Sequence, residues 1–158
     1  MFKNIMWATD GSEHADRALD YATRLAKSEG AVLHVAYVVE TIVGGRVAGQ
    51  VANLNEDEIK AKIEAHVATL VGEQGLDARL QIARGQTGKI ATRILEIARG
   101  ADADLIVVGT HGHSALGTVL LGSVTQRLLH VGHCPVLAVP PVERVTADDG
   151  AGTLIAAG

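Results

Sequence analysis

Short apolar runs alternate with longer amphipathic ones along this chain. KNIMWAT at 3–9 is apolar at its centre and reads as a strand. Ser12 then stands as an N-cap for the segment 13–30. There Ala15, Ala18, Leu19, Ala22, Leu25 and Ala26 recur on one helical face before Gly30 stops the helix. AVLHVAYVV at 31–39 is a second strand. The segment 55–75 predicts a second helix, with Asn55 as cap, acids in the first turn, and Ile59, Ile63, Val67 and Leu70 as its stripe. DARLQIARG at 77–85 alternates as a half-exposed strand does. Ile90, Ile94, Ile97 and Ala98 mark a third helix over 87–101. DLIVVG at 104–109 is a buried β-branched strand, SVTQRLLHVG at 123–132 a short fourth helix, and PVLAVP at 135–140 a last strand.

Strict strand–helix alternation implies right-handed crossovers and a parallel sheet covered on both faces. We therefore expect an α/β single domain: an open five-stranded parallel sheet, order 3-2-1-4-5, Rossmann-like, with helices on both faces. The domain spans residues 1–141, and 142–158, rich in Asp, Gly and Ala, form a loosely ordered tail. The glycine-rich stretch 40–54 is longer than most connections and has the character of a lid or binding loop.

Composition narrows the function. In 158 residues, apolar residues make up 47% and aromatics 3%, so the core is aliphatic. A formal charge of −4 disfavours a general nucleic-acid binder. Cys134 is the single cysteine, which fits a reducing compartment. The start lacks a signal-peptide core, and no apolar run approaches the roughly 18 residues of a membrane span. The expectation is a soluble cytoplasmic protein with neither membrane nor nucleic-acid partner.

In an open parallel sheet, ligands bind beyond the carboxyl ends of the strands where the winding reverses. In the expected order strands 1 and 4 are neighbours, and Thr9-Asp10-Gly11-Ser12 and Gly109-Thr110-His111-Gly112 flank the crevice. Between the latter and the fourth helix runs a near-miss of a P-loop: Gly117, four residues, Gly122, then Ser123 where that motif has lysine. Glycines at 109, 112 and 122 let main chain approach a ligand. The opening amides of the helix at Ser123 lack intrahelical partners and can bond an anion, with the Ser123 and Thr125 hydroxyls beside them. Hydrogen bonds to a charged group contribute roughly 1.5–3 kcal/mol each, and micromolar binding needs about −8 kcal/mol. Three or four such bonds plus a buried base can supply that without lysine. Asp10 could hold a bridging metal, directly or through water. Nothing resembles a base for fast hydrolysis. The same residues also suit plain turns and helix caps.

Other groups carry less. His111 and His113 fall at one end of the fourth helix and His130, His133 and Cys134 at the other, which disfavours a shared zinc site. Arg46 and Arg127 could reach phosphates but are more often solvated.

Three stretches, TDGSEHADRAL, DLIVVGTHGHS and GSVTQRLLHVGHCPVLAVP, together resemble the universal stress protein family, over about residues 1–141. The G-x2-G-x9-G-S pattern is similar to that of members that bind ATP. The resemblance implies that Ala8, Thr9 and Asp10 lie near adenine and ribose and that Val35 packs on the base. It implies that Val108, Gly109, His111 and Gly112 line ribose and phosphates, while Gly122, Ser123, Val124 and Thr125 cradle the phosphate chain. It further implies ATP with Mg or Mn as ligand, little or no turnover, and a homodimer through Val136, Leu137, Ala138 and Val139. Gln86-Thr87 depart from the proline common nearby in the family, and neither the 40–54 loop nor the tail can be mapped on it. The alternatives are a cyclic AMP binder, a slow ATPase of the adenine-nucleotide hydrolase type, whose glycine pair TDGSEHA lacks, and an interaction module with an empty cleft.

Overall fold

Side-chain parity along the strands decides which layer each residue joins. The computed structural model describes residues 1–41, 55–111 and 121–141. Its elements are β1 (Asn4–Thr9), α1 (Glu13–Glu29), β2 (Val32–Thr41), α2 (Glu56–Gly72), β3 (Ala78–Gln86), α3 (Ile90–Gly100), β4 (Leu105–Gly109), α4 (Ser123–Val131) and β5 (Val136–Val139). They form one sheet in the order β3-β2-β1-β4-β5, all neighbours parallel, as expected from the alternation. Ile5, Trp7, Leu33, Val35, Tyr37, Leu105 and Val107 point to one face and pack with α1 and α2. Met6, Ala8, Ala36, Val38, Ile106 and Val108 point to the other and meet α3 and α4.

The alanine stripe of α1 (Ala15, Ala18, Ala22, Ala26) is buried and lets the helix lie close on the sheet. Trp7, fully buried, donates its indole N–H to the Ala15 carbonyl at 3.0 Å. Ser12 caps α1 as expected, its hydroxyl accepting from the Ala15 amide, and Gly30 closes it in the left-handed conformation. Asn55, by contrast, makes no side-chain cap bond. Only Ile63 and Leu70 of the α2 stripe are buried, with Ile59 and Val67 packed partly against them. The third helix begins at Ile90 rather than Thr87, because Gly88 turns the chain at φ 78°.

Strand register shapes the carboxyl edge of the sheet. β1 ends at Thr9, opposite Tyr37, while β2 runs on through Val38 to Thr41 beside β3. The carboxyl end of β2 thus overhangs β1 and forms a wall. Among the described residues, no helix is long and apolar enough to cross a membrane.

Candidate functional site

A cavity of about 650 Å³ opens over the carboxyl ends of β1, β2 and β4, where the winding direction reverses. Ten of the expected residues line it: Ala8, Thr9, Asp10, Val108, Gly109, His111, Gly122, Ser123, Val124 and Thr125. Gly112 lies outside the described residues, as do the 40–54 loop beyond Thr41, His113, Arg46 and the 142–158 tail.

Val35 does not line the cavity. It pairs with Trp7 below the cavity floor and is buried in the α1–α2 face of the core. The wall from β2 is instead Tyr37, Val38, Val39 and Glu40. Val38 shares its face with Ala8 and Val108, and with Ile90, Ala91 and Ile94 of α3 it makes an apolar slot. The α2 end adds Asn55, Glu56 and Ile59. Sequence reasoning misses these residues because they depend on the parallel register, which pairs Ala8 with Ala36 and carries Val38 past the end of β1.

The β1–α1 loop is held by its own hydrogen bonds. The Gly11 amide donates to Thr9 Oγ1 at 3.0 Å. Asp10 Oδ1 accepts from the Ser12 amide at 3.0 Å and from its hydroxyl at 2.6 Å. Gly11 sits at φ 80°, and a Cβ there would lie 2.5 Å from Ile59 Cγ2.

On the other side, main chain does the work. The Gly122 amide donates to the Thr110 carbonyl at 2.8 Å, fixing the entry to α4. The first intrahelical bond of α4 runs from the Gln126 amide to the Gly122 carbonyl at 2.9 Å. The amides of Ser123, Val124 and Thr125 therefore have no carbonyl of their own helix to meet, and the helix dipole adds to their pull on an anion. Gly109 is needed where it stands: a Cβ would come within 3.0 Å of the His14 carbonyl oxygen.

One expected donor is otherwise engaged. Thr125 is buried and gives its hydroxyl proton to the Gly109 carbonyl at 2.8 Å. It ties α4 to the end of β4, so of the two expected hydroxyls that of Ser123 is left to face an anion. The Thr110 hydroxyl lies 2.9 Å from His111 Nδ1, and the His111 ring stands 6.1 Å from that of His14. Arg127 also reaches the lining.

Charge is distributed unevenly. Glu40, Glu56 and Asp10 occupy the β1–β2–α2 side, with Glu56 paired to Arg84 at 3.0 Å. Burial pushes the Tyr37 phenol above its ordinary value, and the negative charges of Glu56 and Asp10 push it the same way. Cys134, away from the cavity, is half-buried, and burial raises its thiol. Among the described residues, no group of three or more His, Cys, Asp or Glu gathers as a metal site would require. The arrangement can bind a ligand with an anionic end at α4 and a flat apolar part under α3.

The sequence profile of the universal stress protein family matches residues 1–140. A universal stress protein of Thermus aquaticus is 38% identical, over 88% of this chain and 99% of its own. One of Methanocaldococcus jannaschii is 33% identical, over 88% of this chain and 82% of its own. Among solved structures, a universal stress protein in complex with cyclic AMP superposes with a TM-score of 0.62 at 26% identity, over 87% of this chain and 97% of that one. Profile, relatives and sheet order agree, and the chain belongs to the universal stress protein family.

Proposed function

We propose that this protein binds ATP in the cavity and acts as a nucleotide-dependent regulator of the stress response with little or no turnover. The observation that carries the reading is the joining, in one cavity of about 650 Å³, of the α4 amides with the apolar slot of Val38, Ile90, Ala91, Ile94 and Val108. That volume is in the range of nucleotide-sized sites. The base enters the slot, the sugar lies by Thr9 and Asp10, and the phosphates meet Gly109, Gly122 and Ser123–Thr125. Asp10 Oδ1 already serves Ser12, so Asp10 would hold a nucleotide-bound Mg or Mn ion through water, and the ion would supply charge neutralisation of the phosphates. The protein works in the cytoplasm as a homodimer through β5, a sheet edge where Val136, Leu137 and Ala138 remain partly exposed.

The test is mass spectrometry of ligand released by denaturing the purified protein, followed by calorimetric titration with ATP and cyclic AMP. ATP should be recovered and should bind in the micromolar range. A protein that ignores adenylates at millimolar levels would overturn the reading. Cyclic AMP is the second reading, favoured by the complex formed by a solved relative. Tighter binding of cyclic AMP than of ATP would decide for it. Single-turnover measurement with magnesium tests for slow hydrolysis.

A further inference from the structure

Outside the cavity, one turn down α2 from Ile59, Lys62 reaches across to α1. Its ammonium donates to the Gly11 carbonyl at 2.9 Å and to Asp16 Oδ2 at 2.6 Å. Gly11 is the centre of the loop that carries Asp10 and Ser12, and its Cα face is closed by Ile59. Ile59, Lys62 and His66 recur at helical spacing, so one face of α2 bears on this loop and on α1 behind it. His66 continues the seam, with its ring 6.3 Å from Trp7 and its Nδ1 4.0 Å from Asp16 Oδ1.

We propose that Lys62 is a positioning residue for the nucleotide site: it clamps the Gly11 carbonyl and so fixes the sugar-side loop, while making no contact with ligand itself. Three features make this more than a surface ion pair. The acceptor is main chain, in a residue whose positive φ and closeness to Ile59 favour glycine alone. The same ammonium holds two points on α1 and its approach, so losing it frees both at once. And α2 carries Glu56 and Ile59 into the cavity lining, so clamp and wall are one rigid element. The phosphate side depends on Gly109, Gly122 and α4, none of which bonds Lys62 among the described residues.

The inference rests on the ATP reading and predicts a split between the two ends of the ligand. Lys62→Met should weaken ATP and adenosine alike, roughly five- to twentyfold. Binding of inorganic tripolyphosphate should stay within about twofold. Lys62→Arg, which keeps donors at that length, should recover most of the loss. Amide exchange across residues 10–16 should quicken in Lys62→Met without ligand, and that across α4 should not. Asp16→Asn drops the ion pair but keeps the Gly11 bond, so it should cost less than Lys62→Met. If Lys62→Met does not fold, Lys62→Gln, too short to reach the Gly11 carbonyl, should show the same split between adenosine and tripolyphosphate. Unchanged ATP affinity in Lys62→Met, or equal losses for ATP, adenosine and tripolyphosphate, would overturn the clamp while leaving ATP binding intact. Wild-type protein that takes up neither ATP nor adenosine would overturn the reading on which the clamp rests, and the clamp with it.

Discussion

The two walls of the cavity are made of different material. The β4–α4 wall is largely main chain: Gly109, Gly122 and the opening amides of α4. The facing β2–α2 wall is side chain, with Tyr37, Glu40 and Glu56, and Asp10 stands between the two. Amides at a helix start attract anions, and carboxylates repel them. A ligand suits both walls only if its negative charge is confined to one end. Under the proposed function, the difference would set the direction of a bound nucleotide as well as its class. It also says which wall tolerates substitution: side chains can be exchanged singly, whereas main chain can be reached only through its glycines.

The largest effect is expected at Gly122. Gly122→Asp places a carboxylate beside the opening amides of α4, where the proposed function puts phosphate. ATP affinity should fall by about 3 kcal/mol, roughly a hundredfold. A Cβ at 122 lies 3.3 Å from the Thr110 carbonyl oxygen, so Gly122→Ala separates crowding from charge. Titration calorimetry on both variants decides. If Gly122→Asp binds ATP as the parent does, the main-chain wall holds no phosphate.

Next comes the tie that supports this wall. Thr125→Val removes the proton given to the buried Gly109 carbonyl and should lower stability by about 2 kcal/mol in urea unfolding. ATP affinity should drop only a few fold, since the amides remain. A smaller effect should come from the opposite wall. Adenosine 3′,5′-bisphosphate carries a phosphate that would face Glu40, Glu56 and Asp10, and should bind about tenfold more weakly than ADP. Glu40→Gln with Glu56→Gln should narrow that gap. Equal binding of the two nucleotides by the parent protein would show that the carboxylates set no direction.

The same contrast explains which features are legible in the sequence. Sheet order and helix layers can be read from the spacing of apolar runs, because parity and period are local. The main-chain wall can be read too, since glycine marks places where backbone must come close, and Gly109 and Gly122 stand at such places. The side-chain wall cannot. Tyr37, Val38 and Glu40 reach the cavity only because β2 overhangs β1, and Glu56 and Ile59 only because α2 crosses above Gly11. Neither fact is local. Val35 stands in for Val38 in the sequence-based expectation: both are apolar residues of one strand, but they face opposite sides of the sheet, and the register pairing Ala8 with Ala36 carries Val38 past the end of β1. Thr125 shows a different limit. Its spacing suits a phosphate donor, but one buried carbonyl nearby claims the proton first.

Tyr37 offers the finest test of the side-chain wall, because its phenol reports the local field without any ligand. Burial raises it above the ordinary value near 10.0, and Glu56 and then Asp10 add to the rise. Tyr21→Phe leaves Tyr37 as the only tyrosine, so phenolate absorbance can be followed alone. Its midpoint should lie above the ordinary value, and Glu56→Gln should bring it part of the way back. Stability responds with a definite sign. Between the ordinary value and the raised one, the native chain holds a proton that the unfolded chain has lost, so stability falls as pH rises through that window. Below it the contribution is complete. Glu56→Gln should therefore make the alkaline fall less steep. If the midpoint stays put in Glu56→Gln, the Glu56 charge, already paired with Arg84, is directed away from the cavity. The wall would then repel phosphate through Asp10 and Glu40 alone, and the discrimination against the bisphosphate should survive Glu56→Gln and shrink with Glu40→Gln, the remainder being set by Asp10.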